Sequence, residues 1–265
     1  MIKGSDTLGA KMVPQLAEAY KAAGNEVEFE IAAEGSSTAF TNLLAGTCDI
    51  GMASREAKPE EFAAFKAKGV KLKRYVAGAD MIAVIVNASN PVKNLTLKQV
   101  EGIFTGEITD WTEVGGESGE IQVFTRNTSS GTYKSFQKMA MSGREYGENA
   151  QKMTGAVHPC WYVERDPRAI GYVGRAYAFG EAIKAPTIDD IEVASGNHGR
   201  YPITRYLLYY TAGDPKGAAA KFLRWATTDP KALEIVEQVG FVAVQPDDAT
   251  PTSRKTESEV SVKAP

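Results

Sequence analysis

Residues 35–55 read GSSTAFTNLLAGTCDIGMASR, passing from a hydroxyl-rich turn into a helix and on into a strand. In 37–45 the apolar residues Ala39, Phe40, Leu43 and Leu44 recur at helical spacing, and Gly46 is a helix stop. The run 49–53 is short and apolar enough for a buried strand. Units of this kind, repeated along a chain, define an α/β protein.

The alternation continues on both sides. Upstream, the chain starts on a strand-like segment at Met1, 10–23 predicts an amphipathic helix ended by Gly24, and 27–32 predicts a strand. Downstream come a charged helix at 59–68, strands at 72–76 and 81–87, and a break at Asn90-Pro91. Further helices are expected at 96–103, 132–141, 215–227 and 230–238, and strands at 122–125, 169–173 and 205–210. These units are too irregular for an eightfold barrel. Residues 245–265 are polar and rich in Ser and Thr, the composition of a disordered tail.

The chain has 265 residues and a formal charge of −3, which argues against a nucleic acid or an anionic membrane held by a general basic field. Binding a small anion depends on local donors and stays open. No apolar run reaches the roughly 18 residues of a membrane helix. The two cysteines, Cys48 and Cys160, lack metal-ligand spacing and are expected to stay free thiols, and the two histidines, His158 and His198, lie far apart. Thiol, zinc and histidine-based catalysis are thereby disfavoured.

Three strand-like segments end in a small, hydroxyl-rich, glycine-containing turn that opens a helix. They are Gly4-Ser5-Asp6-Thr7-Leu8-Gly9, Gly35-Ser36-Ser37-Thr38 and Arg126-Asn127-Thr128-Ser129-Ser130-Gly131-Thr132. Each offers unpaired N–H groups and hydroxyls at the positive end of a helix dipole. Arg126 adds a planar fork suited to a tetrahedral oxyanion. Taken singly, such turns are more often plain N-caps. Three of them make a shared oxyanion cup, provided the fold brings them together. No Gly-Lys-Ser/Thr follows as in a phosphate-binding NTPase loop, and there is no Gly-x-Ser-x-Gly elbow.

At these residues the sequence resembles the phosphate-binding proteins of bacterial high-affinity phosphate transporters, members of the type II periplasmic binding-protein superfamily. The matching segments are GSDTLG, GSSTAFTNLLAGTCDIGMASR, DMIAVIVNASNPVKNLTLKQVEGIFTGEITDW, TRNTSSGTYKSF, AIGYVG, YPITRYLLYYTAGDP and GFVAV, in that order. The resemblance implies an α/β chain with the two-lobed type II periplasmic-binding-protein fold and a ligand cleft between the lobes. Lobe one would comprise 1–79 and 202–250, lobe two 80–201, and 251–265 a flexible tail.

By the same resemblance, phosphate would be held by Thr7, the Leu8 N–H, Ser36, Ser37, Ser54, Arg126, Ser130, Gly131 and Thr132, with no catalytic residue, metal or cofactor. Family members often carry a proton-accepting aspartate at the place of Ser54, which leaves Asp6 and Asp80 as candidate acceptors here. They often carry an acid two places after the arginine, and here that place is Thr128. The implied partners are inorganic phosphate and the permease subunits of an ABC transporter, with a monomer in the periplasm or at the cell surface, where a lipid anchor is one route. No leader pattern precedes the first strand, so export would require one removed ahead of Met1.

Trp111, Tyr172 and the tyrosines Tyr201, Tyr206, Tyr209 and Tyr210 read as packing residues. Asp189-Asp190 reads as a helix start or turn cap. Three rivals stay open from sequence: a receptor for sulfate or molybdate, a phosphate sensor domain, and a serine phosphatase, the last disfavoured by the missing general base.

Overall fold

The computed structural model describes residues 1–244; the tail expected at 251–265, and all of 245–265, lie outside the described residues. In chain order the elements begin β1 (Ile2–Gly4), α1 (Asp6–Gly9), α2 (Met12–Ala22), β2 (Ile31–Ala33), α3 (Ser36–Ala45), β3 (Ile50–Ala53) and α4 (Pro59–Ala67). The middle holds β4 (Leu72–Asn87), β5 (Asn94–Leu95), α5 (Leu97–Thr105), β6 (Gln122–Arg126), α6 (Gly131–Ala140), β7 (Gln151–Met153) and α7 (His158–Val163). The chain then forms β8 (Ala169–Gly174), β9 (Ile183–Lys184), β10 (Thr187–Ile188), β11 (Thr204–Ala212), α8 (Gly217–Thr228) and α9 (Pro230–Val239).

The main sheet runs β2-β1-β3-β11-β4-β8-β6-β7, with β9 on β4. One strand joins its two halves. From Leu72 to Met81, β4 pairs antiparallel with β11; from Ile82 to Val86 it pairs with β8. The sequence reading split this segment into strands at 72–76 and 81–87. The structure corrects that: Gly78 sits where the pairing with β11 slips between Leu207 and Leu208, so the irregularity is a bulge and the strand continues through it. Residues 81–86 are 0% exposed, an apolar run covered on both faces.

Each half is a small α/β unit, and one apolar cluster runs on from the first half into the second through Ile85, Phe124, Val163 and Val173. In the first, β1 pairs parallel with β2 and β3, and α2, α8 and α9 pack over it through Leu16, Tyr20, Phe222 and Val236. In the second, β6 pairs parallel with β7 and β8, and Phe104, Phe136, Trp111 and Tyr172 fill the core. Tyr172 lies 3.9 Å from Phe136, ring on ring, and Trp111 donates from Nε1 to the Arg168 carbonyl at 2.9 Å. Each large buried side chain contributes roughly 1.5–3 kcal/mol of burial. Both residues are packing residues, as read from sequence.

Helix ends follow their local chemistry. Gly46 and Gly106 stop α3 and α5 in the left-handed conformation that glycine adopts without strain, with φ of 71° and 82°. Asp189 caps α5 by accepting from the Leu97 N–H at 3.0 Å, across the chain rather than at a helix of its own. The strand expected at 27–32 shortens to Ile31–Ala33, because β1 presents only three residues to pair. Cys48 and Cys160 are free, and burial pushes Cys160 up to about 12. Among the described residues no helix is long and apolar enough to cross a membrane.

Candidate oxyanion site

β1, β2 and β3 run parallel and bring the first two turns and Ser54 to their C-terminal ends, while β6, which carries the third turn, runs the opposite way across β11, β4 and β8, so its C-terminal end faces theirs. The three turns read from sequence meet there. Thr7 Oγ1 on α1 lies 3.0 Å from Thr132 Oγ1 on α6. Ser36 Oγ on α3 lies 3.2 Å from Ser54 Oγ and accepts from the Ser54 N–H at 3.0 Å. The Ser37 N–H donates to the Ser129 carbonyl at 3.2 Å, and Ser129 Oγ donates to the Glu34 carbonyl. Thr7, Ser36, Ser54, Arg126, Ser130 and Thr132 are all at most 2% exposed.

Only one turn is a plain cap. Ser130 Oγ accepts from the Tyr133 N–H at 3.3 Å, whereas Ser5 and Gly35 give their helices no side-chain cap. The N–H groups of Thr7, Leu8, Ser36, Gly131 and Thr132 consequently have no acceptor among the described residues. A first helical turn cannot satisfy them internally, and buried N–H groups are normally paired. Together they form a cluster of donors that suits an oxyanion.

Arg126 ends β6 and is held on one side. Its Nη2 donates to Asp6 Oδ2 and to the Thr154 carbonyl, both at 2.8 Å, while its buried Nε has no partner among the described residues. Beneath it, Tyr172 accepts from the Arg126 N–H at 3.3 Å and shares a 2.5 Å hydrogen bond with Thr125 Oγ1. Burial pushes the Arg126 guanidinium below its usual range, and Asp6 pulls it partly back. For Asp6 the balance is reversed: burial raises the carboxyl above its ordinary value despite Arg126. This pair crosses the sheet, since α1 and β6 belong to its two halves.

Two of the expected residues point elsewhere. Ser37 Oγ accepts from Arg55 Nη2 at 3.3 Å, which turns its hydroxyl toward the Arg55–Glu61 pair. Asp80 is 1% exposed; its Oδ2 accepts from Arg205 Nε and Nη2 at 3.2 and 2.7 Å, and its Oδ1 from the Arg175 N–H at 3.0 Å. It is thus bound at the crossing of β4 and β11, not in the turns. Other contributors escaped the sequence reading. Arg205 Nη1 and Ser135 Oγ both donate to the Ser54 carbonyl, at 3.0 and 2.9 Å, and Tyr177 donates to the Thr7 carbonyl at 2.8 Å. Arg205 stands directly opposite Asp80 in the β4–β11 ladder, which only the register reveals. Ser129 lay inside the third turn and was legible there.

The closest approach is at Gly131. A Cβ there would stand 2.2 Å from Ser36 Oγ and 2.5 Å from Ser54 Oγ. Gly131→Ala should therefore force both serines out of place and weaken anion binding about tenfold to hundredfold, the loss expected for one charge-assisted hydrogen bond. Titration calorimetry checks it; unchanged affinity would mean that Gly131 does not border the ligand.

A two-lobed α/β chain with helix starts and an arginine converging between its lobes is a receptor of the type II periplasmic binding-protein class. Comparison with known proteins agrees. Residues 2–230 match the family model of the PBP superfamily domain. The phosphate-binding protein PstS of Pseudomonas aeruginosa is 33% identical over 233 residues, covering 80% of this chain and 72% of that protein. That of Bacillus subtilis is 30% identical over 249 residues, covering 92% and 80%. Among solved structures, a substrate-binding protein from Clostridium perfringens with bound phosphate superimposes with a TM-score of 0.84 at 32% identity, covering 92% of this chain and 98% of that one. The chain belongs to the phosphate-binding protein family of phosphate ABC transporters.

Proposed function

We propose that this chain binds inorganic phosphate between its lobes and delivers it to the permease subunits of a phosphate ABC transporter, as a monomer in the periplasm or outside the cell. The observation that carries this reading is the convergence of three uncapped or partly capped helix starts on the unpartnered Nε of Arg126. Thr7, Ser36, Ser54, Ser130 and Thr132 give hydroxyls, the Thr7, Leu8, Ser36, Gly131 and Thr132 N–H groups donate, and Arg126 supplies the full positive charge. Ser37 takes part through the helix start rather than its hydroxyl. Lobe one is 1–79 with 202–250 and lobe two 80–201, hinged where β4 exchanges β11 for β8. The molecule binds and releases without chemistry: His158 Nδ1 is engaged by Gly155 and Thr154, and His198 by Ser195, so neither stands beside a serine of the turns as a general base.

Asp6 is the acceptor of the phosphate proton. Its carboxyl has a raised proton affinity, borders Arg126, and takes the part that Ser54 has no charge to play. Phosphate keeps a proton near neutral pH and sulfate keeps none, so a carboxylate at the ligand accepts the one and repels the other. Asp80, tied to Arg205, is the less suited candidate.

The test is a melting and titration series on phosphate-stripped protein. A hundredfold excess of phosphate over its dissociation constant should stabilise the fold by about 2.7 kcal/mol, and sulfate should not. In Asp6→Asn, phosphate should weaken and sulfate begin to compete, because the amide can donate to an unprotonated oxygen. No shift with millimolar phosphate would overturn the phosphate reading. A variant that still ignores sulfate would remove Asp6 from selectivity.

A further inference from the structure

A second cavity, of about 450 Å³, opens beside the oxyanion site, between α6 and the segment that follows β3. This is within the size range of small-molecule sites, roughly 300–1,000 Å³. Ala57, Pro59 and Met139 give it apolar walls, and Lys58, Lys134 and Lys138 stand on its rim. The charges around it are unevenly matched. Glu56 is taken by Arg74, whose Nη2 and Nε donate to it at 2.8 and 3.0 Å, and by the Tyr210 hydroxyl at 3.0 Å. Glu61 is taken by Arg55 through two bonds of 2.7 Å. The arginines and acids cancel.

The lysines do not. Lys134 Nζ donates to the neutral Gln137 Oε1 at 3.0 Å and lies over the Tyr133 ring, and no carboxylate pairs with Lys134 or Lys138 among the described residues. Lys58 has only Glu60, exposed and 3.5 Å away, a contact of little worth. Lys134 and Lys138 are also four residues apart on one helix, a spacing at which like charges repel by a few tenths of a kcal/mol. In a chain of net charge −3, two lysines without a carboxylate and a third held only weakly by Glu60, over an apolar cavity, are a local exception.

We infer that this cavity is a second binding site, for a small organic anion whose apolar body rests on Ala57, Pro59 and Met139 and whose anionic head sits between Lys134 and Lys138. Closure of the lobes completes it. The 55–59 segment and β11 form one wall and α6, from the other half of the sheet, forms the opposite wall. Two residues of its lining, Ser135 and Arg205, donate to the Ser54 carbonyl, so the cavity and the oxyanion site share a wall. By reciprocity, phosphate that favours closure tightens the second anion, and the second anion tightens phosphate. The coupling rests on the phosphate reading above, whereas the site itself does not.

The experiment uses p-toluenesulfonate as probe and titration calorimetry as readout, on the full chain with and without saturating phosphate. One probe should bind per chain, several-fold more tightly with phosphate present. Lys134→Gln/Lys138→Gln should weaken the probe about tenfold or more, as expected for loss of charge-assisted contacts, and leave phosphate affinity unchanged. Arg126→Ala should retain the probe in the absence of phosphate, which separates failure of this site from failure of the phosphate reading. No binding at millimolar probe, binding indifferent to the lysines, or displacement of the probe by phosphate would each overturn the site. Equal probe affinity with and without phosphate would overturn its completion by closure. A slower phosphate association in the lysine variant, without probe binding, would mark the cavity as an entry path instead and overturn the proposal.

Discussion

Arg126→Ala should lower phosphate affinity by roughly 2–5 kcal/mol, about thirtyfold to several thousandfold, the penalty for truncating one partner of a desolvated, hydrogen-bonded charge pair. The size follows from the setting. Arg126 is 2% exposed, its Nη2 is held by Asp6 and Thr154, and its Nε is a buried donor without a partner. Removing the guanidinium leaves the ligand to neutral donors and leaves Asp6 as an uncompensated negative charge beside it. Arg126→Lys should recover only part of the loss, because an ammonium replaces the charge but cannot hold Asp6, Thr154 and an anion with one planar group. Calorimetric titration of stripped protein, with melting curves to verify folding, checks both variants. Affinity within a few-fold of the parent in Arg126→Ala would show that the ligand lies elsewhere.

A comparable loss, in stability rather than affinity, is expected at the crossing of the strands. Arg205→Ala should cost about 3–5 kcal/mol of folding stability at neutral pH, since it strands Asp80 as a buried charge without its partner. Asp80 is 1% exposed, and its remaining bond is to the Arg175 N–H. The pH dependence has a defined sign. Burial already raises the Asp80 carboxyl above its ordinary value, with Arg205 opposing, and loss of Arg205 raises it further. A group with a raised folded value binds its proton more tightly folded than unfolded, so the variant regains stability as pH falls through that value. The gap to the parent should narrow in acid. Replacing the pair together, by Arg205→Met with Asp80→Leu, should restore most of the stability, because no charge is then left unpaired. Denaturant unfolding at two pH values measures all of this. A pH-independent gap would mean that the cost is lost packing.

The three helix starts were legible because their chemistry is local. Small hydroxyl residues with glycine ahead of a 3.6-residue apolar pattern mark an anion-competent terminus wherever they stand. The Gly46 stop and the packing roles of Trp111 and Tyr172 were legible for similar reasons, since helix stops and large apolar side chains have few alternative uses. Ser37 was misjudged in detail because its turn does not say which hydroxyl faces inward; that is decided by Arg55, eighteen residues on. The strands read at 72–76 and 81–87 prove to be one because a glycine in a strand pattern fits a break or a bulge equally well, and the partner strand decides between them.

By itself, then, the sequence determined an α/β chain, three oxyanion-suited turns with one arginine, and a resemblance that named the ligand. What it could not determine was anything set by register between distant strands. Asp6 and Arg126 are 120 positions apart, and so their 2.8 Å contact exists only when the two halves of the sheet face each other. Asp80 meets Arg205 across 125 positions because β4 runs from one half to the other and β11 returns beside it. Periodicity and capping act over a few residues through local sterics and hydrogen bonding. Which carboxylate holds the arginine and which one locks the crossing is decided by the packing of the folded chain.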